Sequence, residues 1–236
     1  MKKLLMSRHK AGPALRRMLS ELTPPVFVTL FRAIRSAPLQ KDNTTIGTER
    51  SAQWYDGTCS TSEEYRRHYA DSRYYYIWCV LVDRIRPQRV KCILDIGCGP
   101  GQFASFLKDK SLSRYVGLDF SSKRIERARM LCPTFEFICA NALNSDIFYT
   151  LDYDVLVTTE FLEHIKDDLQ IIERIRPGVR VYATVPNFPA LAHVRYFSSC
   201  MEVQARYGSF FIDFRVDEFL HGSEGMSLFL FEGVRR

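Results

Sequence analysis

The chain has 236 residues, of which 46% are hydrophobic, 13% aromatic and 25% charged, a balance that excludes a disordered or collagen-like protein and suits a folded soluble one. Seven cysteines with no C-x-x-C pair exclude a zinc-ribbon pattern and a disulfide framework and describe a reduced, cytoplasmic protein. The net charge of +6 is uneven: residues 1–40 hold eight Lys and Arg against the single acid Glu21, so the body is near neutral.

Residues 1–40 read as two short helices separated by Pro24-Pro25. Proline suits the first turn of the second helix. That helix sets Val26, Phe27, Leu30, Phe31 and Ile34 on one side, with Arg32 and Arg35 elsewhere on the wheel. Such a basic amphipathic element either touches a membrane surface or a partner, or packs on its own domain. The start, MKKLLMSRHK, has too short an apolar stretch for a signal peptide. No span long enough to cross a bilayer is present. Residues 41–51 are polar and read as a linker. One or two helices are then expected, ending near Arg86-Pro87. Their signals are a capping box, Ser60 with Glu63 or Thr61 with Glu64, and Tyr65, Tyr69 and Tyr76 at helical offsets.

From residue 91 strands and helices alternate. Strands are expected at 91–96, 114–120, 134–140, 152–159 and 179–186, with helices at 101–110, 121–132, 160–175 and 198–207. Two further strands, 209–220 and 226–236, flank the turn-rich HGSEG and form a hairpin. The expected fold is α/β and Rossmann-like. It has a seven-stranded, mainly parallel sheet with a C-terminal antiparallel hairpin, helices on both faces, and an N-terminal helical extension. The chain divides into an extension with its linker over 1–45, a helical cap over 46–90 and a catalytic domain over 91–236.

The segment LDIGCGPGQF follows the first strand of that domain and opens a helix. Gly97, Gly99 and Gly101 allow a tight turn and close approach to a ligand. The spacing is G-x-G-x-G with no Lys-Ser/Thr after it, which excludes a P-loop and fits a dinucleotide fingerprint poorly. Asp95 at the strand end would repel a pyrophosphate and welcome an ammonium group. Asp119 ends the second strand, where a carboxylate can accept from both hydroxyls of a ribose. Asn141, after the third strand, could accept from an adenine amino group.

Together these residues resemble the class I S-adenosylmethionine-dependent methyltransferases over residues 91–236. The resemblance implies that Asp95, Gly97, Gly99 and Gly101 surround the methionine moiety and that Asp119 binds the ribose. Asn141 and Ala142 take the adenine edge, where the family more often has Asp.

The fourth strand of that fold ends beside the sulfonium methyl, and here it runs into TTEFLEHIKDD. Thr158-Thr159-Glu160-Phe161 stands where base-directed N-methyltransferases carry Asn/Asp-Pro-Pro-Tyr/Phe, which disfavours that chemistry. Glu-x-x-Glu-His is similar to the ubiquinone-pathway O-methyltransferases and the small-RNA 2′-O-methyltransferases. That likeness implies that Glu160, Glu163 and His164, set on one helix face, hold Mg2+ or another divalent ion. Two other readings stay open: His164 alone as general base, or Glu163 and His164 on a solvated helix face with Glu160 supporting the active-site loop. His193 is either a further ligand or a surface-loop histidine.

A looser, whole-chain resemblance is to bacterial methyltransferases encoded among surface-polysaccharide genes. It implies a cap whose Tyr65, Tyr69, Arg73 and Tyr76 reach substrate or the cofactor carboxylate. The acceptor is then a sugar or other small polar molecule, and the basic N-terminus contacts the inner membrane face. The alternatives are an RNA 2′-O-methyltransferase and a non-catalytic interaction module. A near-neutral body without a basic, aromatic stripe speaks against nucleic acid.

Overall fold

The computed structural model describes residues 47–236 apart from 113, 223 and 224; the amphipathic extension read over residues 1–45 lies outside the described residues. Strand β1 (Cys92–Ile96) is buried at every position, as expected of a parallel strand covered on both faces. It pairs in parallel with β2 (Arg114–Asp119) and β4 (Val155–Thr159). Outside these lie β3 (Glu136–Cys139) and β5 (Arg180–Pro186), also parallel. The closing hairpin is β6 (Phe211–Leu220) and β7 (Ser227–Arg235), and β7 runs antiparallel to both β5 and β6. The order β3-β2-β1-β4-β5-β7-β6 makes β7 the one reversed strand. Succession reverses between β1 and β4, so the loops leaving these strands diverge and open a crevice at their carboxyl ends.

Side chains alternate between two apolar layers. Ile93, Tyr115, Val155 and Val157 pack under α2 (Tyr75–Ile85), α3 (Gln102–Asp109) and α4 (Ser122–Leu131). Leu94, Ile96, Val116 and Leu156 pack against α5 (Ile147–Thr150), α6 (Asp168–Arg174) and α7 (Cys200–Tyr207). The seven cysteines are free. Among the described residues no helix is long and apolar enough to cross a membrane.

The cap begins earlier than the capping-box signal placed it. Helix α1 is Ala52–Thr61, followed by 3-10 turns at Glu64–Arg66 and Tyr69–Asp71. Ser60 and Thr61 close the helix, donating their hydroxyls back to Asp56 and Gly57 carbonyls. Glu64 instead accepts from Ser72 Oγ at 2.7 Å and Arg73 N–H at 3.1 Å, tying the turn to the start of α2.

The helix expected over 160–175 is broken. Glu160 has φ +52°, a 3-10 turn covers Leu162–His164, Ile165 is extended, and only Asp168–Arg174 is α-helical. The reason lies about thirty residues downstream. Arg195 donates to the carbonyls of Leu162, Ile165 and Lys166, and Val194 N–H donates to Glu163 O at 2.8 Å. These carbonyls are therefore bonded outside a helical ladder. Buried Asp168 completes the anchor, facing Arg195 at 3.3 Å and accepting from Arg206 and from Tyr207 Oη at 2.6 Å. Glu160, Glu163 and His164 consequently do not share a helix face.

Candidate active site

The loop after β1 wraps tightly because of its glycines. Gly97 has φ +79°, and a Cβ there would sit 2.6 Å from the Phe161 ring. Gly101 has φ +85° and lies against the backbone of Ala128 on α4, so it serves helix packing. Asp95 is buried beneath the loop and accepts from Tyr115 Oη at 2.6 Å. Burial pushes its carboxyl up to about 7, against the Tyr115 hydrogen bond.

Asp119 is buried and accepts from Gly99 N–H at 3.1 Å on one oxygen and Ser121 N–H at 2.8 Å on the other. Burial raises its pKa, opposed by the charge of Arg124 and by the two N–H groups. Each oxygen keeps a lone pair for a further donor. Asn141 Oδ1 accepts from Leu143 N–H at 2.9 Å, fixing the turn after β3.

A cavity of about 560 Å³ opens over these groups. Asp95, Gly97, Gly99, Asp119, Asn141 and Ala142 line it, whereas Gly101 does not. Trp54 and Tyr55 from α1, with Tyr65, Arg73 and Tyr74, form the cap side. Of the cap residues singled out in the sequence, Tyr65 and Arg73 reach the cavity. Tyr69 instead donates to Asp109 at 2.7 Å, and Tyr76 pairs with His221 at 3.2 Å.

The other end of the cavity holds Glu160, His164 and His193. Glu160 N–H donates to Thr184 Oγ1 at 3.0 Å, and that hydroxyl donates to Glu160 Oε1 at 3.1 Å. Burial raises the Glu160 pKa to about 7, against the Thr184 hydrogen bond and the Arg73 charge. Glu163 is fully buried, and neither carboxyl oxygen has a hydrogen-bond partner among the described residues. Burial and the neighbouring Glu160 push its pKa well up, against the charge of Arg195.

His193 is buried, not a surface-loop residue, and its ring meets that of His164 edge-on at 4.9 Å. Nδ1 of His164 faces Ala192 O at 3.0 Å, and Nδ1 of His193 faces Phe188 O at 3.0 Å. A carbonyl can only accept, so both Nδ1 atoms carry the proton and both Nε2 atoms present lone pairs. Burial lowers the pKa of both rings, that of His164 to about 3. One ligand atom from each of Glu163, His164 and His193 lies within 4.8 Å of the others; Glu160 is not part of this group.

Thr184 went unnoticed in the sequence. The signal was a hydroxyl near the carboxyl end of a strand, where α/β proteins place their ligands. Arg124 and Trp54 carried no signal.

Residues 65–210, more than half the chain, match the family of methyltransferase domains. The chain belongs to this family. Its fold has the class I topology of S-adenosylmethionine-dependent methyltransferases. A ubiquinone biosynthesis O-methyltransferase of Aliivibrio fischeri (strain MJ11) is 30% identical over 105 residues, 41% of this chain and 44% of that one. The match thus spans less than half the length of this curated relative. The fold is shared with the N-methyltransferase NodS of Bradyrhizobium japonicum WM9, solved with S-adenosyl-l-homocysteine. That likeness has TM-score 0.59 and 16% identity, covering 78% of this methyltransferase and 97% of NodS. The methyltransferase domain of bacterial CtHen1 matches with TM-score 0.50 and 21% identity, covering 67% and 97%. The residues fit the cofactor: a buried acid with spare lone pairs at the ribose position, a loop with no Cβ at Gly97, and a carboxyl beneath it.

Proposed function

We propose that this methyltransferase methylates a hydroxyl oxygen on a sugar or another small polar acceptor, with Glu160 as general base. The observation that carries the reading is the Glu160 carboxyl at the cavity wall, held by Thr184, with a pKa of about 7. A base is most effective when its pKa lies near the working pH. S-adenosylmethionine supplies an electrophilic methyl group when bound. An alcohol is a weak nucleophile, and Glu160 makes it a better one by taking the hydroxyl proton. His164 suits this role less well, since burial lowers its pKa to about 3 and leaves its free Nε2 a weak base. The likeness to an O-methyltransferase and the absence of a Pro-Pro-aromatic run after Thr159 both favour oxygen.

The test is transfer of labelled methyl groups to paired hydroxyl and amine acceptors across pH. Label on oxygen, with an acid limb near pH 7 that disappears together with turnover in Glu160→Gln, supports the reading. Label on amines, or full turnover in Glu160→Gln, overturns it.

A second reading is favoured by Glu163, His164 and His193. A buried carboxyl without a hydrogen-bond partner among the described residues, 3.6 Å from His164 Nε2, and two acceptor nitrogens fit a divalent ion, and two imidazoles suit manganese, iron or zinc better than magnesium. Such an ion lowers the pKa of a bound hydroxyl. Because the Glu163 pKa is raised, a metal bound there competes with a proton. Calorimetry with Mn2+ in buffers of different ionisation enthalpy therefore detects proton release, and His193→Ala abolishes it. No Mn2+ binding by the native chain with acceptor present removes this reading and leaves the first intact.

A further inference from the structure

The cap and the cofactor end of the cavity meet at one residue. Ser121 is fully buried. It donates its backbone N–H to Asp119 Oδ1 at 2.8 Å and its hydroxyl to Asp56 Oδ1 at 2.6 Å. Asp119 belongs to the cofactor site, whereas Asp56 belongs to cap helix α1. One short turn is thus gripped from the cavity by one carboxylate and from the cap by another.

Asp56 does more than hold Ser121. It also accepts from Lys123 N–H at 3.1 Å and lies 3.5 Å from Ser122 Oγ. A carboxylate from a separate element therefore caps the first turn of α4, where free N–H groups and the helix dipole favour negative charge. A second fastening is made by the next residue, Arg124, which also lines the cavity. The Arg124 guanidinium sits 4.5 Å from the ring centres of both Tyr55 and Tyr65, and donates to Tyr65 Oη at 2.8 Å. Arg124 is itself buried, and its Nε has no partner among the described residues. The two cap tyrosines hold this cation between them.

The segment these contacts fasten is the one that covers the ligand. Trp54, Tyr55 and Tyr65 line the cavity that Asp119 and Arg124 also line.

We propose that Asp56 and Arg124 are positioning residues that fasten the cap over the bound cofactor. Release of the spent cofactor then requires these contacts to break, and Ser121 links occupancy at Asp119 to cap docking. The inference rests on S-adenosylmethionine occupying the Asp119 end and is independent of the acceptor.

The experiment is stopped-flow binding and release of S-adenosylhomocysteine by the full chain, read through the fluorescence of Trp54. Asp56→Ala removes a charged cap and is expected to speed dissociation about tenfold. Asp56→Asn keeps an acceptor oxygen without the charge and should fall between the two. Tyr65→Leu opens one side of the Arg124 contact and should also speed release. The melting temperature without ligand separates this from a purely structural role, which would lower stability and leave the dissociation rate of the folded protein alone. Native dissociation rates in all three variants, or a loss of affinity arising only from slower association, overturn the proposal. Absence of S-adenosylhomocysteine binding by the native chain would instead overturn the cofactor assignment, and this inference with it.

Discussion

Thr184 and Glu160 hold each other at two points. The Thr184 hydroxyl accepts from Glu160 N–H at 3.0 Å and donates to Glu160 Oε1 at 3.1 Å. Thr184 pairs with Thr159 across β4 and β5, so the contact fixes the first residue beyond β4 just where the backbone turns left-handed. Thr184→Val keeps the shape and removes both bonds. The carboxylate loses a donor that favours its charged form, so its pKa rises further. A hydrogen bond to a charged group is worth about 1.5–3 kcal/mol, or roughly one to two pH units. The acid limb of the rate profile should move up by at least about one unit, with activity at pH 7 down roughly tenfold. Thr184→Ser should restore it. An unmoved limb would mean that Glu160 is not the titrating base.

Asp119→Ala removes the acceptor for two backbone N–H groups, Gly99 and Ser121, as well as the carboxylate proposed to hold the ribose. Loss of charge-assisted hydrogen bonds at a buried site predicts a fall in S-adenosylhomocysteine affinity of about a hundredfold or more. Calorimetric titration measures it, and circular dichroism confirms that the fold persists. Native affinity in this variant would place the ribose elsewhere.

The glycine loop and Asp119 were legible because their signals are local: turn chemistry at a strand end and an acid at the end of the next strand. The sheet was legible because hydrophobic periodicity switches cleanly between strand and helix from residue 91 onward. The path after β4 was not. EFLEHIKDDLQIIERI has good helical spacing, and the groups that break it, Val194 and Arg195, lie on a distant loop. Local pattern cannot report a carbonyl bonded from about thirty residues away. His193 was hidden for the same reason, since its burial depends on the rings of His164 and Phe188. In the cap a sound capping-box signal was overridden, because Glu64 is drawn to Ser72 and Arg73.

Gly97 and Gly99 offer a contrast within one loop. Both have positive φ, so alanine at either incurs left-handed strain of about 1–2 kcal/mol. Only at Gly97 does the new Cβ collide, 2.6 Å from Phe161, the residue that follows Glu160; at Gly99 nothing lies within 4 Å. Gly97→Ala should therefore disturb both cofactor binding and the catalytic loop, with turnover falling more than affinity. Gly99→Ala should reduce affinity about tenfold and leave the turnover of saturated enzyme near native. Titration with S-adenosylhomocysteine and saturated turnover rates distinguish the two. Equal effects would mean that Phe161 moves aside freely.

Glu160→Gln separates the chemical and structural consequences of one half-buried acid. The ordinary pKa of Glu160 is 4.5, and in the folded protein it is about 7. Folding therefore favours the protonated form. The stability this contributes is fully present below pH 4.5 and is lost as pH rises through about 7. Above that pH the native protein carries a poorly solvated charge that glutamine lacks. The variant should melt with the native protein at pH 4 and above it at pH 8, by on the order of 10 °C for a chain of this size. Asp95, raised in the same direction, is present in both proteins and cancels. Methyl transfer should fall about a thousandfold on the plateau above pH 7, within the usual contribution of a general base, and by less at low pH, where the native base is itself protonated. Differential scanning calorimetry at the two pH values measures the first effect and a labelled-methyl assay the second. A variant that is inactive yet gains no stability at pH 8 would mean that Glu160 is well solvated and titrates near 4.5, which removes the basis for an acid limb near 7.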